Sequence, residues 1–140
     1  MDIKVSCSTK LPKKATKFSC GYDIYSISTT KIPPFATVLI DTDICVAIPN
    51  HICGLILGRS SLAIKLKLII HSGLIDIDYR KPISVIVHSL NHETVLLPKD
   101  CRLAQILFLK MFEGRLERVA HVPLCPETDR DGGFGSSGMF

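Results

Sequence analysis

Short runs of alternating apolar and polar residues, separated by Pro, Gly and Asn, fill this chain and predict strands in nearly every segment. Between Ser19 and Ser26, tyrosine and isoleucine alternate with smaller polar groups in the manner of a half-buried strand. Ile32-Pro33-Pro34 marks a turn, alternation resumes from Ala36 to Ile48, stops at Pro49-Asn50 and returns from His51 to Leu57. Breaks at roughly 8–12-residue spacing are those of a sandwich or barrel. Gly58-Arg59-Ser60-Ser61 ends this run, and Ser60 or Ser61 ahead of Leu62-Ala63-Ile64-Lys65 reads as the N-cap of one short helix. Such a cap would aim free backbone N–H groups at an anion. Leu66 to Ile70 then reads as a strand, and residues 71 to 80 lead through a Lys81-Pro82 turn into Ile83-Ser84-Val85-Ile86-Val87, the second arm of a hairpin. Asn91-His92-Glu93 is a turn, while Leu96-Leu97 and Leu103 to Met111 give further strands. After Gly114 the chain passes Pro123 and Pro126 into a glycine-rich tail.

Composition sharpens this picture. The 140 residues suit a single domain over 1–140 with one active-site region, and they contain no internal repeat or linker. Apolar positions are rich in isoleucine and valine, which favour strands, so the expectation is an all-β domain. No apolar run approaches a membrane span, and charged residues stand where a signal peptide needs its apolar stretch. A soluble, intracellular protein without a membrane partner is expected. The net charge of +4 is modest, with lysines gathered at Lys10, Lys13, Lys14 and Lys17 and again at Lys65 and Lys67. A small polyanion suits that distribution; a dense basic stripe with interleaved aromatics is missing, so stable nucleic-acid binding is not expected. The six cysteines, Cys7, Cys20, Cys45, Cys53, Cys101 and Cys125, form no C-x-x-C pair and read as reduced, mostly buried thiols.

Two segments carry candidate chemistry. The tail Arg130-Asp131-Gly132-Gly133-Phe134-Gly135-Ser136-Ser137-Gly138 puts glycines, hydroxyls and one aromatic ring beside an arginine. Glycine lets backbone N–H groups turn toward an anion, and arginine offers a fork of charged donors matched to phosphate, although such a tail also suits a disordered terminus. In Gly73-Leu74-Ile75-Asp76-Ile77-Asp78-Tyr79-Arg80, two carboxylates at alternate positions would share one face of a strand. One could orient a water while the other pairs with Arg80, and a solvated hairpin end with a surface ion pair fits the same pattern. Asp23 and Gln105 are weak signals singly.

Read in order, five segments resemble the five motifs of the trimeric deoxyuridine triphosphatases (dUTPases): Cys20-Gly21-Tyr22-Asp23-Ile24-Tyr25-Ser26, Gly58-Arg59-Ser60-Ser61-Leu62-Ala63, residues 73–80, Asp100-Cys101-Arg102-Leu103-Ala104-Gln105, and residues 130–138. The resemblance covers nearly the whole chain beyond the first eighteen residues. It implies a jelly-roll-like β-barrel with one short helix and a flexible glycine-rich tail, assembled as a homotrimer with shared active sites. Residues 127–140 would form an arm closing the site of a neighbouring subunit.

The implied reaction is hydrolysis of dUTP to dUMP and pyrophosphate, which limits uracil in DNA and supplies dUMP for thymidylate synthesis, with Mg2+ as cofactor. By the same resemblance Asp76 positions the 3′-hydroxyl and helps activate the attacking water, and Gln105 lies near the α-phosphate. Asp23 holds magnesium through water. Arg59, Ser60 and Ser61 meet phosphate, and Tyr79 lies under the deoxyribose. Gly73, Ile75 and Ser84 belong to a hairpin of residues 73–86 that reads the uracil edge through main-chain groups. Arg130 clamps the terminal phosphate, Phe134 stacks on uracil, and Gly135 and Ser136 donate to phosphate. The chain departs from the family pattern at Ser61, at Lys81-Pro82, at Ser84, at Cys101 and in a shortened spacing between Arg130 and Phe134. A catalytically weak or silent relative used as an interaction scaffold is the competing expectation.

Overall fold

A computed structural model describes residues 2–123 and Cys125. Strands dominate the described residues, joined there by one short helix, α1 (Ser60–Leu66). β2 (Tyr22–Tyr25), β11 (Arg102–Lys110), β6 (Ile52–Leu57) and β8 (Gly73–Ile75) form a sheet in that order, and β4 (Thr37–Asp41), β9 (Ser84–Ser89) and β7 (Leu68–Ile70) form a second. Two pairs complete the set: β1 (Lys4–Ser6) with β5 (Cys45–Ala47), and β3 (Thr30–Ile32) with β10 (Val95–Leu97). Every strand pairing among the described residues is antiparallel.

One apolar cluster joins all four sheets, with Ile24, Ile56, Ile75 and Ile106 from the larger and Ile40, Leu68, Val85 and Val87 from the smaller. Ile32 and Leu97 bring in the β3–β10 pair and Val46 the β1–β5 pair. The mechanism is the period-two rule: in β9, Val85, Val87 and Ser89 turn inward while Ile86 faces out. Each buried Ile, Val or Leu side chain contributes roughly 1.5–3 kcal/mol of transfer free energy, so the shared cluster fixes the register of both main sheets. No helix among the described residues is long and apolar enough to cross a membrane.

Several sequence expectations need correction. The run from Ala36 to Ile48 divides into β4 and β5, because at Thr42 the backbone N–H and Oγ1 both donate to the Ile83 carbonyl, at 3.2 and 2.7 Å, and Asp43 takes a left-handed φ of 54°. Asp43 then accepts hydrogen bonds from the Ser8 backbone N–H and hydroxyl and from Thr9 Oγ1, which ties down the segment entering the lysine-rich loop. Burial acts against the Asp43 carboxylate, but these donors outweigh it and leave its pKa below the ordinary range.

Neither Ser60 nor Ser61 caps α1. Arg59 is the N-cap, in extended conformation with no side-chain capping bond, and the two serines occupy the first helical positions. The helix ends at Lys67, whose left-handed φ of 49° lets its N–H reach the Ala63 carbonyl at 3.1 Å, so β7 begins at Leu68 rather than Leu66. Residues 73–86 are likewise not a closed hairpin. β9 pairs with β7, whereas β8 crosses to the other sheet and pairs with β6. None of the cysteines is fully buried: Cys7, Cys45, Cys53 and Cys101 are half-buried, and Cys20 and Cys125 are exposed.

Candidate active site

The central strand β11 brings three of the five motif segments together. A register shift between Arg102 and Ala104 sets Gln105 opposite Asp23 on one side and Leu57 on the other. Gln105 Nε2 donates to the Gly58 carbonyl at 3.0 Å, fixing the end of β6 where the chain turns into α1. Gly21 makes room for that side chain, since a Cβ there would lie 2.5 Å from Gln105 Oε1. Here glycine serves close approach rather than an unusual φ.

Asp23 is 4% exposed and accepts a hydrogen bond from Arg59 Nη1 on Oδ1. Arg102 Nε stands 3.6 Å from the other carboxylate oxygen. One buried carboxylate therefore faces two guanidinium groups, which leaves a surplus of positive charge for an incoming anion. Arg59 Nε is buried without a hydrogen-bond partner. Burial, then the proximity of Arg102, push the Arg59 pKa below its usual value, with Cys101 acting in the opposite sense; an arginine stays charged regardless. The Cys101 thiol is raised by burial and pulled partly back by Arg59. Arg102 and the Gly21–Gln105 approach were missed in the sequence, although Arg102 lies three residues before Gln105 in the same motif.

Asp76, Tyr79 and Ser84 lie elsewhere. β8 starts with Gly73 opposite Ile56 and ends with Ile75 opposite Gly54, so it runs away from the Gln105 end of β6. Asp76 follows on an exposed turn closed by the Tyr79 N–H on the Asp76 carbonyl at 3.2 Å. Asp76 and Asp78 thus do not share a strand face, because the strand stops at Ile75. Tyr79 Oη donates to the Pro82 carbonyl at 3.0 Å, orienting the ring, while Arg80 Nη1 bonds the Tyr79 carbonyl at 2.9 Å instead of pairing with a carboxylate. Four residues of strand and two strand spacings separate Asp76 from Gln105, on the order of 15 Å in one chain.

Ile75 packs in the core, so its side chain is committed to Gly54 and Ile106 and only its backbone can face a ligand. β8 is an edge strand, and nothing lies within 4 Å of a Cβ built on Gly73. Its outer backbone groups are open to a base edge. Ser84 Oγ donates to Asp41 Oδ1 at 2.7 Å, which occupies its hydroxyl. Ser60 and Ser61 are exposed beside Arg59. Arg130, Phe134, Gly135 and Ser136, with the rest of the 127–140 arm, lie outside the described residues.

Among the described residues no group of three or more His, Cys, Asp or Glu side chains could hold a metal ion. Asp23 already faces Arg59 and Arg102 and does not suit a directly ligated ion; an ion that arrives on a phosphate chain and keeps its water shell, as magnesium does, fits there only because the phosphates offset the surplus positive charge.

A family model described as dUTPase matches residues 8–138. The chain is 38% identical over 137 residues to a fowlpox virus deoxyuridine 5′-triphosphate nucleotidohydrolase, covering 97% of this chain and 94% of that protein. A swinepox virus protein of the same name is 33% identical, with 98% and 95% coverage. Among solved structures, a variant of the Staphylococcus bacteriophage 80alpha dUTPase with dUpNHpp superposes with a TM-score of 0.84 at 24% identity, covering 98% of each chain.

Proposed function

Because the chain belongs to the dUTPase family, we propose that it hydrolyses dUTP to dUMP and pyrophosphate by attack of an Asp76-oriented water on the α-phosphorus. The observation that carries this reading is the buried Asp23 carboxylate between Arg59 and Arg102, beside a Gln105 side chain already fixed to Gly58. Preorganised charge of this kind meets a triphosphate without having to reorganise when it binds.

Arg59, held on Asp23, offers its remaining N–H groups to phosphate, with the Ser60 and Ser61 hydroxyls beside it, and Gln105 steadies the α-phosphate oxygens. Asp76 accepts the proton of the attacking water, a role open to an exposed carboxylate with no competing donor among the described residues. The outer edge of β8 from Gly73 to Ile75 reads the uracil, and the fixed ring of Tyr79 leaves no space for a 2′-hydroxyl. Magnesium would be held through one of its waters at Asp23 and, when bound, disperses the charge that develops on the triphosphate.

Asp76 and Gln105 must both lie within hydrogen-bond reach of one reacting centre, about 3 Å from it. Their separation on the order of 15 Å along the strands of one chain favours a site assembled from two copies. A homotrimer supplies three such sites, and the glycine tail from Arg130 to Ser136 is the candidate third contributor, with Phe134 over the base.

The test is pyrophosphate release from each deoxynucleoside triphosphate and from UTP, with magnesium present. Hydrolysis confined to dUTP and lost with EDTA is expected; equal turnover of UTP overturns the role of Tyr79. Light scattering should give a trimer. Deleting residues 130–140 should leave that trimer intact while most hydrolysis is lost.

A further inference from the structure

Next to the Asp23 cluster lies a separate cavity of about 490 Å³ lined by Lys10, Leu11, Lys13, Tyr25, Asp100 and Arg102. Three cations share it with one carboxylate. Lys10 Nζ lies 3.5 Å from Asp100 Oδ2 and Arg102 reaches toward Asp23, while Lys13 makes no ion pair among the described residues. The loop that carries the lysines is held in place: the Asp23 N–H donates to the Lys13 carbonyl at 2.9 Å, and Ser8 and Thr9 just upstream are bound by Asp43. Lys10 also lies over the Tyr25 ring, 5.3 Å from its centroid. These exposed lysines therefore line an open cleft whose backbone is fixed.

Tyr25 supplies the second observation. It is 7% exposed, yet its hydroxyl has no hydrogen-bond partner among the described residues. That hydroxyl is not shut off from solvent, so it stays open to a ligand in the cavity that Tyr25 lines. An oxyanion in the cavity would accept that bond, and the surrounding cations select for negative charge.

We propose that this cavity binds a small, multiply charged phosphate of the pyrophosphate class, with Lys10, Lys13 and Arg102 meeting its oxygens and Tyr25 Oη donating to one of them. Arg102 makes the site consequential. It lines the cavity and also faces Asp23, so an anion that draws Arg102 away leaves Asp23 balanced by Arg59 alone. Filling the cavity thereby changes the charge offered to a triphosphate next door. Pyrophosphate is also the product of the reaction proposed above; that link rests on the proposed reaction, whereas binding at the cavity does not.

Calorimetry of the full chain with sodium pyrophosphate tests this, first alone and then with a saturating non-hydrolysable dUTP analogue. One pyrophosphate per chain should still bind in the presence of the analogue. A Lys10→Gln/Lys13→Gln variant should weaken that binding about tenfold or more, as expected for lost charge-assisted contacts, and Tyr25→Phe should weaken it by about threefold. Both lysines are exposed and the Tyr25 hydroxyl is unpartnered, so unchanged melting should accompany these losses. Complete loss of pyrophosphate binding with the analogue assigns the cavity to the substrate site and overturns the proposal, as does binding that the variants leave unchanged. Displacement of pyrophosphate by a more tightly bound single-stranded oligonucleotide also overturns it. Lysine-dependent pyrophosphate binding by a protein that fails to hydrolyse dUTP would support the cavity site while removing the proposed reaction.

Discussion

Asp23 is 4% exposed and held between Arg59 and Arg102, whereas Asp76 stands exposed on a turn where its carboxylate meets no donor among the described residues. Asp23 lies within β2 and Asp76 follows β8, two strands of the same sheet. The first is locked by tertiary contacts because a buried charge is tolerated only when paired. The second costs the fold little and is free to meet what another copy or a substrate brings. One chain thus carries a charge-paired half and an open half, the arrangement that the proposed two-copy site calls for.

The largest effect should come from Asp76→Asn. It keeps shape but removes the base, so kcat for dUTP should fall by about 10²-fold or more, while the urea midpoint stays unchanged because the side chain is exposed. A near-wild-type rate would break the contrast by showing that another group orients the water. Asp23→Asn should act the other way round. It strips the partner from Arg59, whose side chain is only 22% exposed, and equilibrium urea unfolding should register a loss of about 2–4 kcal/mol, below the full cost of a wholly buried pair because solvent still reaches the guanidinium. Undiminished stability would mean that the Asp23 cluster is no more locked than the turn.

Gly21→Ala is expected to be milder. Its Cβ would press on the Gln105 Oε1 end, a flexible group that can yield, at the expense of the 3.0 Å bond to Gly58. A stability loss of about 1 kcal/mol and a modest fall in kcat should follow, measured by urea unfolding and pyrophosphate release. The smallest effect concerns pH. The Cys101 thiol has a folded pKa raised by burial, so its contribution is fully present below the ordinary thiol value and is lost as pH rises through the raised folded value. Cys101→Ser should flatten the fall in stability above about pH 9, read from melting curves across that range.

The all-β class, the positions of most strands and the ordered motif segments were legible in the sequence, because period-two alternation and Pro or Gly breaks are local properties of the chain. Asp23, Arg59 and Gln105 were candidates only through the family resemblance, and the structure sets them beside one another. The failures share a cause. Ser60 looked like a cap, but the helix starts where Arg59 is drawn toward Asp23, thirty-six residues earlier in the chain. β8 followed β7 and preceded β9, so a local hairpin was the natural reading; the pairing of Gly73, Leu74 and Ile75 with β6 was decided by where Ile75 could be buried against Gly54 and Ile106. Arg102 and Tyr25 stood within two of the motif segments, but nothing local pointed to their meeting, and only the register of β11 against β2 sets them side by side at the cavity edge. Alternation determines which residues can face a core, while long-range pairing and the demand that buried charge find a partner decide which of them meet.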